Sequence, residues 1–268
     1  MESNFFMAVT EPLKSMVHSF WETRRRLLFQ TETIIPKGII EIIFNFSEHF
    51  KIKAELNGRH YTLERCFING FNTNPIQLNF SGEQNLFGIR FHPVVIQKIF
   101  GIRASELSNL TVDLALLDPS VDSLWHQLAE TARFPDRITI ITNWLEKRWQ
   151  TISEQEALLN NFLNNTADEI PSVKELSGML YYSPRHLSRK LHSITGMNAE
   201  EILLYKKFQR SVSLIHFSNL SLTQIGYQTQ FADQSHFIKT FKSFAGITPG
   251  EYRKIKTDLP GHLFMNVR

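Results

Sequence analysis

Between residues 172 and 246 the chain repeats one helical unit, and that repeat restricts its fold more than any other feature. Each unit opens on a capping box, Ser172-Val173-Lys174-Glu175 and Ser221-Leu222-Thr223-Gln224. In such a box the Ser side chain accepts a backbone N–H while the Glu or Gln reaches back to the Ser backbone. A short apolar helix follows, marked by Val173 and Leu176 in one unit and by Leu222 and Ile225 in the other. A second helix then starts at its own N-cap, Ser183 or Asp233. The second helices match at an offset of 50: Leu187, Leu191 and Ile194 fall at the positions of Phe237, Phe241 and Phe244, and Gly196 and Gly246 close them. The pattern predicts helix–turn–helix units at 172–196 and 221–246.

At about 100° per residue, Phe237, Phe241 and Phe244 fall within ~60° of one another, with Ser235, Lys239 and Lys242 opposite. By the same arithmetic Arg185, Arg189 and His192 oppose Leu187, Leu191 and Ile194. Each second helix thus has an apolar stripe to hold it and a donor-rich stripe turned outward. Arg and Lys can donate to guanine O6 and N7, Gln can pair with adenine, and Ser can bond to either base, so such a stripe suits a DNA major groove. The segment 198–217 lacks Gly and Pro and predicts one continuous helix. Its roughly 26–30 Å would hold the two units near the ~34 Å of one DNA turn. Lys206, Lys207 and Arg210 on it are candidates for phosphate contacts. Charge agrees: residues 166–268 carry 13 Lys and Arg against 8 Asp and Glu, while residues 1–165 carry 16 against 18.

Residues 168–256 resemble the DNA-binding domain of the AraC/XylS family of bacterial transcription regulators. The segment "IGYQTQFADQSHFIKTFKSFAGITPGEYRK" (225–254) is similar to that family's signature, and "LSGMLYYSPRHLSRKLHSITGMNAEEIL" is similar to its first unit. The resemblance implies base-edge contacts from Arg185, Ser188 and Arg189 in the first recognition helix. In the second it implies Gln234, Ser235, His236 and Lys239, with Lys242 nearer the phosphates. The partner implied is double-stranded DNA, with RNA polymerase as a further partner of an activator. Four residues depart from the family's pattern. Gly226 stands where Ala is usual, Gln230 where a turn Gly is common, Ser211 where Ala is usual, and Lys239 where Arg is usual. A left-handed backbone at Gln230 would be strained, and Lys239 lacks the bidentate fork of Arg.

The first ninety residues have a different period. "GIIEIIFNFS" (38–47), "KIKAEL" (51–56), "IQLNF" (76–80) and "NLFGIRF" (85–91) predict short strands, with Asn57-Gly58 as a hairpin turn. The expected fold is therefore α+β with two domains. An N-terminal antiparallel β-barrel, cupin-like, occupies 1–92, and helices at 93–165 include a capping box at Ser153–Glu156. The all-α double helix–turn–helix follows at 168–256, with a tail at 257–268. "IIPKGIIEIIFNF" and "NLFGIRFHPVVIQKIFG" are similar to the sensor domain of one group of these regulators, which implies an effector-binding or dimerising domain. Trp21, Phe44, Phe46, Phe71, Arg90 and Phe91 are candidates to line a pocket for a small-molecule effector.

No nucleotide-binding loop, H-E-x-x-H or G-x-S-x-G motif is present, so no catalytic residue, cofactor or metal site is assigned. A metal-dependent enzyme in the barrel, drawing on His49, His60 and His92, is the alternative. His186 and His192 are spaced so that they do not share a helical face. The single Cys66 excludes an internal disulfide, and no run approaches the ~18–20 apolar residues of a membrane span. Both point to a cytoplasmic protein. Pairing of subunits through the helices at 120–150 stays open.

Overall fold

The computed structural model describes residues 2–8, 10–26, 31–48, 51–80, 82–148, 150–165 and 169–265. Strand β1 (Glu2–Met7), helix α1 (Leu13–Met16) and the long β2 (Val17–Arg26) open the chain. After them come β3 (Thr31–Ile34), β4 (Ile40–Asn45), β5 (Ile52–Leu56), β6 (Arg59–Leu63), β7 (Cys66–Asn69), β8 (Ile76–Asn79) and β9 (Glu83–Phe91). Helix α2 (Ile96–Phe100) and β10 (Thr111–Asp113) lead to α3 (Val121–Glu130), α4 (Phe134–Glu146) and α5 (Glu154–Asn164). The rest is α6 (Val173–Met179), α7 (Pro184–Thr195), α8 (Ala199–Phe217), α9 (Leu222–Gln228), α10 (Gln234–Ala245) and α11 (Pro249–Ile255), ending in β11 (His262–Met265).

The strands form two antiparallel sheets, ordered β1-β2-β9-β4-β7-β10 and β11-β3-β8-β5-β6. No strand pairs across from one sheet to the other among the described residues, so the sheets are not closed into a barrel, contrary to the sequence expectation. Alternating strands and tight turns fix antiparallel pairing, but closure depends on whether edge strands meet, and here each sheet keeps two edges. Asn57 and Gly58, with φ of 52° and 71°, make the tight β5–β6 turn that Asn-Gly favours.

The larger sheet is covered on both faces. Ile43, Phe67 and Leu86 pack toward Ile52, Leu56 and Ile76 of the smaller sheet. Phe44, Ile68, Phe87 and Phe91 face the helices, in an apolar cluster that continues through Leu145 and Leu187 to Phe241. That explains why β4 reads as one apolar run: neither of its faces meets water. Arg137 of α4, 1% exposed, clamps the helical layer by donating to the Glu22 carboxylate and to the Leu128 and Thr131 carbonyls.

The linker helix α8 has 19 residues, about 28 Å at 1.5 Å each. Its Lys206 points inward: it is 5% exposed, and its Nζ donates to the Leu163 carbonyl at 2.8 Å. Burial lowers its pKa from the usual 10.5 to about 8. Between those values the unfolded chain holds more protons than the folded one, so stability rises with pH across that window. Lys37, also lowered to about 8 by burial, adds to the same rise. Lys206→Met is expected to make the rise shallower by the Lys206 share, and to keep or raise stability at pH 7 by ~0–2 kcal/mol, because an apolar side chain replaces a buried charge. Urea unfolding from pH 7 to 10 measures both.

Candidate nucleic-acid interface

Two helix–turn–helix units, α6–α7 and α9–α10, flank α8. Their caps form as the sequence expects. The Ser172, Ser183 and Ser221 hydroxyls and the Asp233 carboxylate each accept a backbone N–H of the following helix. Gly196 and Gly246 end α7 and α10 at φ of 80° and 74°, which a side chain would strain. The units are not identical. Four residues (180–183) separate α6 from α7, and five (229–233) separate α9 from α10. The first helices therefore match at an offset one shorter than the second helices.

Both turns pass through the left-handed region at a residue with a side chain, Tyr181 at φ 55° and Gln230 at φ 59°. The strain expected at Gln230 is present, and its side chain is put to use: Oε1 accepts the Ile170 N–H at 3.1 Å. Tyr181 has no such tie, and its ring is 75% exposed. Tyr181→Gly is expected to stabilise the chain by about 0.5–1 kcal/mol, the left-handed cost less glycine's extra freedom when unfolded. A small rise in thermal midpoint measures it. Two of the other departures, Gly226 and Ser211, also have local reasons. A Cβ on Gly226 would lie 3.3 Å from the Phe237 ring, so the glycine makes room for that ring. Ser211 is buried and bonds to the Lys207 carbonyl and the Thr229 hydroxyl where α8 meets α9.

On α7, Leu187, Leu191 and Ile194 are buried while Arg185, Arg189 and His192 are exposed. On α10, Phe237 and Phe241 are buried, and Gln234, Ser235, Lys239 and Lys242 are exposed. Two candidates are held by other contacts. The Ser188 hydroxyl accepts the Ala199 N–H, and the half-buried His236 ring sits edge-on to Phe231 while bordering the same groove as Ser235 and Lys239. Sequence reasoning missed Ile238, which is 38% exposed between Ser235 and Lys242. Its spacing of three from Ser235 places it on the outward stripe, where an apolar side chain can meet a thymine methyl. In the linker, Lys206 is buried as described, and Lys207 Nζ donates to the Gln230 carbonyl at 2.6 Å. Arg210 is half-buried. The first unit is also docked on the N-terminal half: Lys190 pairs with Glu156 at 3.1 Å, and the Ser108 hydroxyl donates to the Thr195 carbonyl at the end of α7.

A cavity of about 280 Å³ lies between the two sheets, and Trp21 and Arg90 line it. The ring of Trp21 lies across Gly88, where any Cβ would meet the indole at 2.1 Å. Its Nε1 and the Arg90 Nε both donate to the Glu41 carboxylate, at 3.1 and 2.7 Å. The other effector candidates lie elsewhere. Phe44, Phe71 and Phe91 belong to the core on the helical side, and Phe46 packs against Trp125. The cavity's remaining charges, Arg25, Glu32, Lys37 and His262, had no sequence signal, since they come from segments far apart in the chain, Glu32 and His262 by 230 residues. Of the alternative's histidines, His60 is exposed on β6 and His92 bonds to the Lys14 carbonyl and Asn164, while His49 lies outside the described residues. Among the described residues no group of three His, Cys, Asp or Glu side chains could hold a metal ion. No helix among them is long and apolar enough to cross a membrane. Cys66 is buried, and burial pushes its thiol pKa well up, which makes it a poor nucleophile.

Comparison with known proteins matches residues 176–255 to a helix-turn-helix domain family and residues 7–113 to a domain of unknown function, DUF6597. The chain is 22% identical over 213 residues to the HTH-type transcriptional regulator YtdP of Bacillus subtilis, covering 75% of this chain and 25% of that protein. It thus spans about a quarter of that relative's length. It is 32% identical over 82 residues to the HTH-type transcriptional activator AarP of Providencia stuartii, covering 31% of this chain and 61% of AarP. A similar overall fold is that of ToxT from Vibrio cholerae, solved with an unsaturated fatty acid bound. The TM-score is 0.50 at 18% identity, over 90% of this chain and 96% of that one.

Proposed function

We infer that the chain is a helix–turn–helix regulator of the AraC/XylS type that controls transcription by reading DNA with α7 and α10 in successive major grooves. The observation that carries this reading is the pair of second helices, each seated by a buried apolar stripe and presenting exposed Arg, Lys, Gln and Ser on the other side. Arg185 and Arg189 supply the first contact set; Gln234, Ser235 and Lys239 supply the second, with Ile238 between them and Lys242 at the phosphates. Ser188 acts by positioning the helix rather than by touching bases, and His236 stands at the border of the second set. The N-terminal sheets and helices tune this reader through a small-molecule effector or through pairing of subunits, and RNA polymerase is the further partner if the chain activates. A soluble setting in the cytoplasm fits these roles.

The test is retention of fragmented genomic DNA on the full chain at near-physiological salt, followed by sequencing. Enrichment of a motif with two boxes about one helical turn apart supports the reading. Weak retention without a motif, lost steeply as salt rises, would leave only phosphate attraction and refute it.

A further inference from the structure

The two helix–turn–helix units are alike enough that their differences can be read position by position. At the offset of 50 the match runs past the second helices: Asn198 and Glu201 box the start of α8 as Thr248 and Glu251 box the start of α11. On the outward stripes Arg185 then corresponds to Ser235, Ser188 to Ile238, Arg189 to Lys239 and His192 to Lys242. The first stripe carries two guanidinium groups and the second carries none.

The exchange of Ser188 for Ile238 has a cause in the backbone. In the first unit the Ser188 hydroxyl accepts the Ala199 N–H at 3.3 Å. The residue matching Ala199 is Pro249, the first of α11, and proline has no N–H to give. A hydroxyl at 238 has no such donor to hold it, so the position is released to the surface. What stands there is an isoleucine, 38% exposed, lining one groove with Ser235, Lys239 and Lys242. In a helix its β-branched side chain has one strongly preferred rotamer about χ1, so little freedom is lost when it meets a partner. Gln234, four residues earlier and therefore on the neighbouring turn, is exposed beside it.

Base chemistry sorts the two stripes. A guanidinium fork matches guanine O6 and N7, and of the two stripes only that of α7 has it. A lone ammonium donates to thymine O4 as well as to guanine, so Lys239 does not impose a guanine. The thymine C5-methyl is the apolar group that a base edge offers in the major groove, and a glutamine pairs with adenine N6 and N7. We propose that the two boxes are unlike in kind: α7 reads a box fixed by guanine, and α10 reads an A·T box in which Ile238 packs on one thymine methyl beside Gln234 on an adenine. The site is then directional, and the chain lies on it in one orientation. This rests on the reading of α7 and α10 as the helices that enter the grooves.

The test uses the full chain and the motif it enriches. Each thymine is replaced in turn by deoxyuridine, which differs only in lacking the C5-methyl. One thymine of the second box is expected to matter, its replacement weakening the unmodified chain about three- to tenfold, as the loss of one or two buried methyl contacts would. In Ile238→Ala the thymine duplex should bind that much more weakly, and the same replacement should then change nothing further, because the methyl has lost its partner. Ile238→Val should keep most of the thymine preference. Both variants should stay folded, since Ile238 belongs to neither apolar cluster, and thermal midpoints check this. Arg189→Ala should relax preference at guanine in the other box and leave the thymine–deoxyuridine difference intact. A thymine effect of equal size in the unmodified chain and in Ile238→Ala, or no thymine effect at all, would overturn the assignment of Ile238. Relaxation by both variants within one box would overturn the division between the boxes. Failure to enrich any motif is a separate result: it refutes the DNA reading, and the division of the boxes falls with it.

Discussion

A chain carrying both Arg189→Ala and Lys239→Ala is expected to bind its enriched DNA roughly thirty- to a thousandfold more weakly while remaining folded. Each side chain is exposed in the outward stripe of its recognition helix. Neither contributes to the buried clusters, so truncation should leave stability within about 0.5 kcal/mol. A bidentate contact from Arg189 to a base edge is worth about 1–3 kcal/mol and a single-point contact from Lys239 about 1 kcal/mol, and the two sites lie on separate helices, so losses should add to about 2–4 kcal/mol. Arg189 can make a bidentate pair and Lys239 cannot, so the single Arg variant should carry the larger share and relax preference most within the first box. Binding to unrelated DNA should fall far less, because both residues are assigned to base edges rather than to phosphates. Titration of wild-type and variant chains on enriched and scrambled duplexes measures this. An unchanged preference for the enriched duplex would show that bases are read from other residues.

Phe241→Ala is expected to cost about 3–5 kcal/mol, the range for removing a fully buried aromatic ring. Phe241 has no exposure, and its ring meets Phe208 of α8 at 5.1 Å, Tyr252 of α11 at 5.6 Å and Phe237 one turn earlier at 6.1 Å. It is therefore the point where α8, α10 and α11 are joined. Its loss should remove DNA binding by unseating α10, with the helical signal falling in denaturant before that of the sheets. Phe241→Leu, which keeps most of the volume, should cost about 1–2 kcal/mol and retain binding. Denaturation followed by circular dichroism, beside the same DNA titration, separates this structural loss from the contact loss of Arg189 and Lys239.

The helical part was legible because its signals are local. A capping box, an N-cap, an apolar stripe and a closing glycine each act within about one to three turns, so Ser172, Ser221, Leu187 and Gly246 announce their roles wherever the chain stands. The outward stripe follows from the same arithmetic, which reached Arg185, Arg189, Lys239 and Lys242, though not the exposed Ile238. Ser188 is the instructive case. Its spacing puts it at the border of the face, but a hydrogen bond from Ala199, eleven residues on, turns its hydroxyl inward.

The strands were legible individually, but their arrangement was not. Period two tells which residues share a face; it does not tell which sheet that face meets or whether the sheet's edges join. Phe44 and Phe91 thus read as pocket residues, yet they face the helices, while Trp21 reaches the cavity because a glycine stands opposite it on β9.

The sequence by itself determined two helix–turn–helix units, their caps, and the basic faces they turn outward, since each depends on neighbours a few residues apart. Only the tertiary structure decided that the sheets stay open, that Lys206 turns inward, and that the last strand crosses back to put His262 beside Lys37 and Glu32. Those outcomes depend on which distant surfaces exclude water from one another, and that competition leaves no periodic mark on the chain.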